Sequence, residues 1–140
     1  MVGLGYWGPN LARVLIERTD VELRWICDTD VSRLERYGRR YPSVRLTQDL
    51  DELLDDPDLD GVLLATPVFT HYELGRRCLD AGKHTFVEKP LAPSTSLADE
   101  LIGLSEERGL LLMCGHTFLY SPPVRAVREM IDSGQLGKLY

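Results

Sequence analysis

The sequence predicts the α/β class, a doubly wound parallel sheet with helices on both faces. Two observations carry the prediction. Short apolar runs at 21–27, 61–65, 85–87 and 110–114 alternate with segments of helical period, a pattern that builds parallel strands joined by crossover helices. The run Val62-Leu63-Leu64-Ala65 has no polar residue on either alternating face, which suits a central strand covered on both sides.

The first helix opens from the turn Gly3-Leu4-Gly5-Tyr6-Trp7-Gly8. Pro9 stands just inside it, where a missing N–H costs nothing, and Leu11, Val14 and Leu15 form its apolar face. Val21, Leu23, Trp25 and Cys27 alternate as a strand that ends at Asp28. Arg33, Arg36, Arg39 and Arg40, interrupted by Glu35, read as a solvated helix face. Beyond the apolar run at 61–65, Thr70 with Glu73 forms a capping-box pattern; Leu74, Cys78 and Ala81 supply a buried face and Gly82 a stop. Ser96 with Asp99 repeats the start signal ahead of Leu97, Leu101 and Leu104. Pro122-Pro123 then opens a last helix with Val124, Val127 and Ile131 on one stripe and Gly134 at its end.

Composition excludes several classes of partner. A net charge of -6 and a pI near 5 argue against a surface that tracks nucleic-acid phosphates. Three widely spaced cysteines, Cys27, Cys78 and Cys114, suggest neither a disulfide framework nor a metal site, and reduced thiols fit a cytoplasmic compartment. No apolar run is long enough to span a bilayer, so no membrane partner is expected.

The chemistry gathers at the ends of the expected strands. Gly3, Gly5 and Gly8 fit the pattern in which one glycine permits a tight turn, the next lets backbone approach a pyrophosphate and the third lets helix pack on strand. Such a turn also occurs without a ligand. Asp28 lies at the end of the next strand, where a dinucleotide site places its ribose-binding acid; with Asp30 it favours NAD over NADP, because a 2'-phosphate would meet negative charge. The plainer reading of Asp28 is a helix N-cap. Thr66 and Pro67 follow the central strand, and Thr66 is placed to bond the cofactor. His71 either approaches the site or, as the safer reading, is a surface histidine near a helix start. Glu88-Lys89-Pro90 ends the following strand, so that Lys89 emerges at the same sheet edge with Glu88 to orient it. His116 ends the fourth run. Its ring either faces nicotinamide and substrate or is a buried, satisfied histidine.

These residues resemble the glucose-fructose oxidoreductase and inositol dehydrogenase (Gfo/Idh/MocA) family. The resemblance rests on Gly3-Leu4-Gly5-Tyr6-Trp7-Gly8-Pro9-Asn10, Ala65-Thr66-Pro67 with His71, Glu88-Lys89-Pro90 and Gly115-His116. It implies an NAD-binding Rossmann domain over residues 1–120, with 121–140 forming a helix and the start of a linker. It also implies an enzyme that oxidises a secondary alcohol by hydride transfer to the nicotinamide, with Lys89 beside the ring and, in catalysis, Lys89 and His116 as the residues to test. Gly3, Gly5, Tyr6, Trp7, Gly8, Asp28, Thr66, Pro67, His71, Glu88 and Lys89 are the implied cofactor contacts. The Lys89-Pro90 bond is expected to be cis, as often in the family. Tyr6-Trp7-Gly8-Pro9-Asn10 with Gly115-His116-Thr117-Phe118-Leu119-Tyr120 is similar to members acting on nucleotide sugars, so the expected partner is a sugar or nucleotide-sugar substrate.

Two departures accompany the resemblance. Family chains continue into a C-terminal α/β domain that walls the substrate site and through which self-association is expected; this chain stops at Leu139-Tyr140. The first strand is also expected to be truncated, because only Met1 and Val2 precede Gly3. About four absent ladder residues, at about 1–3 kcal/mol for each unpaired buried group, make the 140-residue chain marginal, so that it aggregates or melts broadly. The alternatives are a non-catalytic NAD-binding subunit, an inactive truncated fragment and, against the Glu88-Lys89-Pro90 segment, a methyltransferase.

Overall fold

The computed structural model describes residues 1–138, so the expectations attached to Leu139 and Tyr140 lie outside the described residues. Among the described residues five strands are parallel: β1 (Trp25–Cys27), β2 (Arg45–Thr47), β3 (Gly61–Leu64), β4 (His84–Val87) and β5 (Leu112–Cys114). β1 pairs with β2, and β3, β4 and β5 pair in that order. Met1 and Val2 join the two groups. Val2 bridges Cys27 on one side and Leu64 on the other, with Val2 N–H donating to Leu63 O at 2.8 Å and Cys27 N–H to Met1 O at 2.9 Å. The order is therefore β2-β1-Val2-β3-β4-β5, with Met1 and Val2 at its centre. Burial of the Met1 amino group, which donates to Trp25 O, pushes its pKa down to about 5. At the amino ends of the strands a groove of about 460 Å³ is lined by Arg24, Asp60, Gly61, His84 and Leu111 among others.

Among the described residues five α-helices connect the strands, and a 3-10 turn and a sixth helix follow β5. α1 (Gly8–Glu17) and α2 (Val31–Arg40) cover one face around Met1, Leu4, Ala12, Ile26, Leu34 and Val44. α3 (Leu50–Leu54), α4 (Val68–Asp80) and α5 (Thr95–Glu107) lie on the other face, whose core holds Leu53, Val62, Leu64, Cys78 and Val87. Leu63 packs into the first cluster and Val62 and Leu64 into the second, as expected of a strand covered on both sides. The 3-10 turn (Thr117–Tyr120) leads into α6 (Pro122–Asp132), whose residues are all exposed. No helix among the described residues is long and apolar enough to cross a membrane.

Several local expectations are corrected. On α1 the fully buried position is Ala12, while Val14 faces solvent. The N-cap of α4 is Pro67, whose fixed φ of -62° leads directly into the helix, so Thr70 caps nothing; its hydroxyl bonds Pro67 O and Thr66 Oγ1 instead. Ala81 ends α4 exposed, and the buried positions are His71, Gly75, Cys78 and Leu79. α5 starts two residues earlier than Ser96 and Asp99 suggest, because the Ser94 hydroxyl accepts from Leu97 N–H at 3.4 Å. Asp30, not Asp28, caps α2, accepting from Ser32 N–H and Arg33 N–H. Gly82 and Gly134 stop their helices as expected, at φ of +74° each.

Candidate functional site

The chain leaves Val2 toward α1 on one face and leaves β3 toward α4 on the other. The crevice at the carboxyl ends of these strands is where open α/β sheets take ligands. A cleft of about 830 Å³ opens there. Its walls carry Gly3, Gly5, Tyr6 and Trp7 from the glycine turn, Asp28 from the end of β1, Thr66 and Pro67 after β3, and Glu88 and Lys89 after β4.

The glycine turn is shaped by crowding. Gly3 has φ +94°, and a Cβ on it would lie 2.6 Å from Ala65 O. A Cβ on Gly8 would sit 2.0 Å from Gly3 O, so only glycine lets α1 approach the turn this closely. At Gly5 the one neighbour within 4 Å is Ala65 O, at 4.0 Å, which leaves the position open to the cleft. Trp7 is the N-cap of α1, no side chain caps that helix, and no acid stands in its first turn. Pro9 has no N–H and the Asn10 and Leu11 amides donate to Trp7 O at 3.0 and 3.1 Å, so the Gly8 N–H is the leading amide left for an anion. Tyr6 and Trp7 meet edge to face at 5.5 Å, with Tyr6 almost wholly exposed on the rim.

Asp28 is buried. Its Oδ2 accepts from Leu4 N–H and its Oδ1 from Asp30 N–H at 2.8 Å, so the carboxylate ties the glycine turn to the end of β1. Arg33 reaches to 3.7 Å from Asp28 and 3.2 Å from Asp30 and also lines the cleft. The Asp30 carboxyl is held below its ordinary range, first by the Ser32 hydroxyl.

The loops after β3 and β4 face each other across the cleft. Lys89-Pro90 is cis, as expected. Glu88 accepts the Lys89 backbone N–H at 3.2 Å rather than pairing with the ammonium, and its carboxyl lies against Gly115. His71 is not a surface histidine: it is 1% exposed, with Nδ1 2.7 Å from Pro90 O and Nε2 2.8 Å from Thr66 O. The ring joins the two loops from beneath and does not line the cleft. His116 is neither buried nor on the cleft wall; it is exposed at the end of β5 with Nε2 3.4 Å from Cys114 Sγ. Burial first, and then the Glu88 charge, push the Cys114 thiol up.

Sequence reasoning missed the far half of the cleft. Arg33, Gln48, Phe69, Leu74 and Arg77 also line it. Gln48 lies just after β2, a three-residue strand that no apolar run announces, and Arg77 is drawn to the rim by Asp51 on α3.

A glycine turn opening an uncapped helix, an acid at the neighbouring strand end and a cleft at the switch point define a dinucleotide-binding Rossmann domain. The model of an oxidoreductase family with an NAD-binding Rossmann fold matches residues 1–116, and the chain belongs to that Gfo/Idh/MocA family. A dTDP-3,4-didehydro-2,6-dideoxy-alpha-D-glucose 3-reductase from Actinomadura kijaniata is 41% identical over 107 residues, 76% of this chain and 32% of the relative. The crystal structure of KijD10, a 3-ketoreductase from Actinomadura kijaniata in complex with NADP and TDP-benzene, superposes with TM-score 0.85 at 31% identity, over 95% of this chain and 41% of that one. GenD2 from gentamicin A biosynthesis, in complex with NAD, gives TM-score 0.82 at 38% identity, over 86% of this chain and 34% of that one. The chain spans 29–43% of the length of the curated relatives it matches.

Proposed function

We propose that this chain is the cofactor-binding part of an oxidoreductase that uses NAD to oxidise a secondary alcohol of a sugar or nucleotide sugar. The observation that carries the reading is the single cleft that gathers Gly5, the open end of α1, Asp28, Thr66 and Lys89. The cradle at Gly5 and the uncapped helix suit a pyrophosphate, and Asp28 suits the ribose beyond it. Bound there, a nicotinamide supplies the acceptor for hydride. Thr66 bonds the cofactor, and Lys89, exposed on the wall between cofactor and open solvent, holds the reacting hydroxyl. His116 is the second candidate for handling the proton, from the neighbouring strand end. The sugar substrate is supported by the sugar reductase and ketoreductase relatives, and a cytoplasmic location by the free thiols of Cys27, Cys78 and Cys114.

NADH fluorescence titration tests the reading. Saturable binding is expected, and its absence from a folded sample sinks it. NAD over NADP rests on Asp28 and Asp30, with Arg33 held between them. Asp28→Ser is expected to move the NADH-to-NADPH affinity ratio toward NADPH, since Arg33 then turns to a 2'-phosphate. A ratio unchanged by the substitution refutes the Asp28 argument.

A further inference from the structure

Two hydroxyls on one wall of the cleft are bonded to each other. Thr66 Oγ1, in the loop after β3, lies 2.8 Å from Thr70 Oγ1 in the first turn of α4, and Thr70 Oγ1 lies 2.7 Å from Pro67 O. Both threonines are half-buried and both line the cleft. Each of these contacts is short enough to need a hydrogen between its oxygens. The carbonyl of Pro67 carries none and only accepts, so the Thr70 hydroxyl donates there. A hydroxyl has one hydrogen, and Thr70 has none left for Thr66. The bond between the two threonines therefore runs from Thr66 to Thr70. We propose that Thr70 is a positioning residue that takes up the Thr66 hydrogen and so fixes Thr66 as a hydrogen-bond acceptor toward the cleft, selective for a donor on the cofactor.

The opposite direction fails at Pro67. If Thr70 donated to Thr66, the Thr70 and Pro67 oxygens would face each other at 2.7 Å with no hydrogen between them. The Thr66 methyl packs toward Gly3, where a Cβ would come within 2.9 Å of it. Methyl and hydroxyl share one carbon, so this contact holds the hydroxyl on the Thr70 side. With its hydrogen given to Thr70 and no donor to its oxygen among the described residues, Thr66 offers lone pairs alone. On a dinucleotide the groups that answer an acceptor are the carboxamide N–H of the nicotinamide and the ribose hydroxyls; a phosphate oxygen or the carboxamide carbonyl is refused. The choice of a dinucleotide rests on the function proposed above, whereas the direction of the two bonds does not.

Neutron diffraction from deuterium-exchanged crystals of the 140-residue chain reads the direction. The Thr70 deuteron is expected on the line to Pro67 O and the Thr66 deuteron on the line to Thr70 Oγ1. A Thr66 deuteron pointing into the cleft overturns the proposal without any variant. Calorimetric titration with NADH reads the consequence. Thr70→Val keeps the shape but removes the acceptor for the Thr66 hydrogen; it is expected to weaken NADH binding by about three- to tenfold, the contribution of one hydrogen bond, and Thr70→Ser to restore it. Parent affinity in Thr70→Val, or no recovery in Thr70→Ser, overturns the assignment. In a Thr66→Val background Thr70→Val should add no loss, because Thr70 acts only through Thr66; a full further loss means that Thr70 serves the fold alone and also overturns it. The reduced dinucleotide analogue with an acetyl group in place of the carboxamide identifies the donor. If Thr70→Val weakens NADH more than this analogue, the donor is the carboxamide N–H; if both fall together, it is a ribose hydroxyl. Should the deuterons lie as expected while the parent chain binds no NADH, the bond direction stands and the proposed function fails.

Discussion

Alanine substitutions at Gly5 and Gly8, made one at a time, separate the fold's need for glycine from the ligand's. At Gly8 the added Cβ meets Gly3 O at 2.0 Å, and ordinary contact begins near 3.4 Å, so α1 and the turn must part by about 1.4 Å. Backbone faces backbone, and no flexible side chain can give way. Ala12, fully buried on the same helix, moves with it. Overpacking of this kind costs about 1–3 kcal/mol, and Gly8→Ala should fall at the upper end. It should also displace the helix amides by more than 1 Å, enough for about a 100-fold loss of affinity if they bind the pyrophosphate. Gly5→Ala is the opposite case. The new methyl has Ala65 O at 4.0 Å as its nearest neighbour, so folding is untouched or gains about 0.4–1 kcal/mol from a stiffer unfolded chain. The methyl nevertheless projects where the pyrophosphate would approach, and NADH affinity should drop by about tenfold or more. Urea unfolding and NADH titration of the two variants decide the matter. Wild-type NADH affinity in Gly5→Ala refutes the pyrophosphate assignment, and a wild-type unfolding midpoint in Gly8→Ala refutes the packing argument.

Two further outcomes follow from buried groups away from the cleft. Asp56 accepts from Trp25 Nε1, from Asp58 N–H and from Arg24, and these bonds, in that order, hold its pKa at about 2 against an ordinary 3.8. A carboxyl depressed in the folded state contributes stability that is complete above about 3.8 and is lost as pH falls toward 2; thermal melting of Asp56→Asn should therefore lie below wild type at neutral pH and converge with it in acid, and parallel curves would contradict this. Burial pushes Cys78 to about 12 and Cys27 to about 11, so Ellman's reagent should find both inert in the folded chain and reach only Cys114, with three thiols released by denaturant; two or more fast thiols in native buffer would overturn it.

The parts of the fold legible in the sequence were those written as periodicity. β3 is announced by unbroken apolar residues because both faces of a parallel sheet are covered, and the polar groups at Thr66 and, after Phe86-Val87 of β4, at Lys89 follow from where such strands end. β2 escaped because it is three residues long, begins at the exposed Arg45 and shows no alternation. α3 escaped for a similar reason: five residues are too few to display a helical period. The helix starts misplaced at Thr70 and Ser96 show a second limit. A hydroxyl followed three residues later by an acid recurs within a helix as readily as at its beginning, and the true starts were set by Pro67 and Ser94. His71 shows a third. Its burial depends on the loop at Pro90, 19 residues away, folding over the start of α4, and no local pattern contains that contact.

Asp28 marks where a sequence pattern and a structural role coincide, and the coincidence governs how its test must be read. Its position after β1 is the one expected of a ribose-binding acid, yet in the folded chain the carboxylate already receives Leu4 N–H and Asp30 N–H and lies 3.7 Å from Arg33. A carboxylate offers about four lone-pair sites. Two amides leave two of them, and Asp28 lines the cleft, so holding the glycine turn and binding a ribose hydroxyl are compatible. It follows that removing Asp28 loosens the turn as well as the ribose contact and must lower affinity for either dinucleotide. A general loss of binding in Asp28→Ser therefore does not separate the turn from the ribose contact. The ratio of the two affinities cancels that shared loss, because NADH and NADPH bring the same pyrophosphate to the site proposed at Gly5 and the end of α1; what survives in the ratio is the proposed interaction of Asp28, Asp30 and Arg33 with the 2' position.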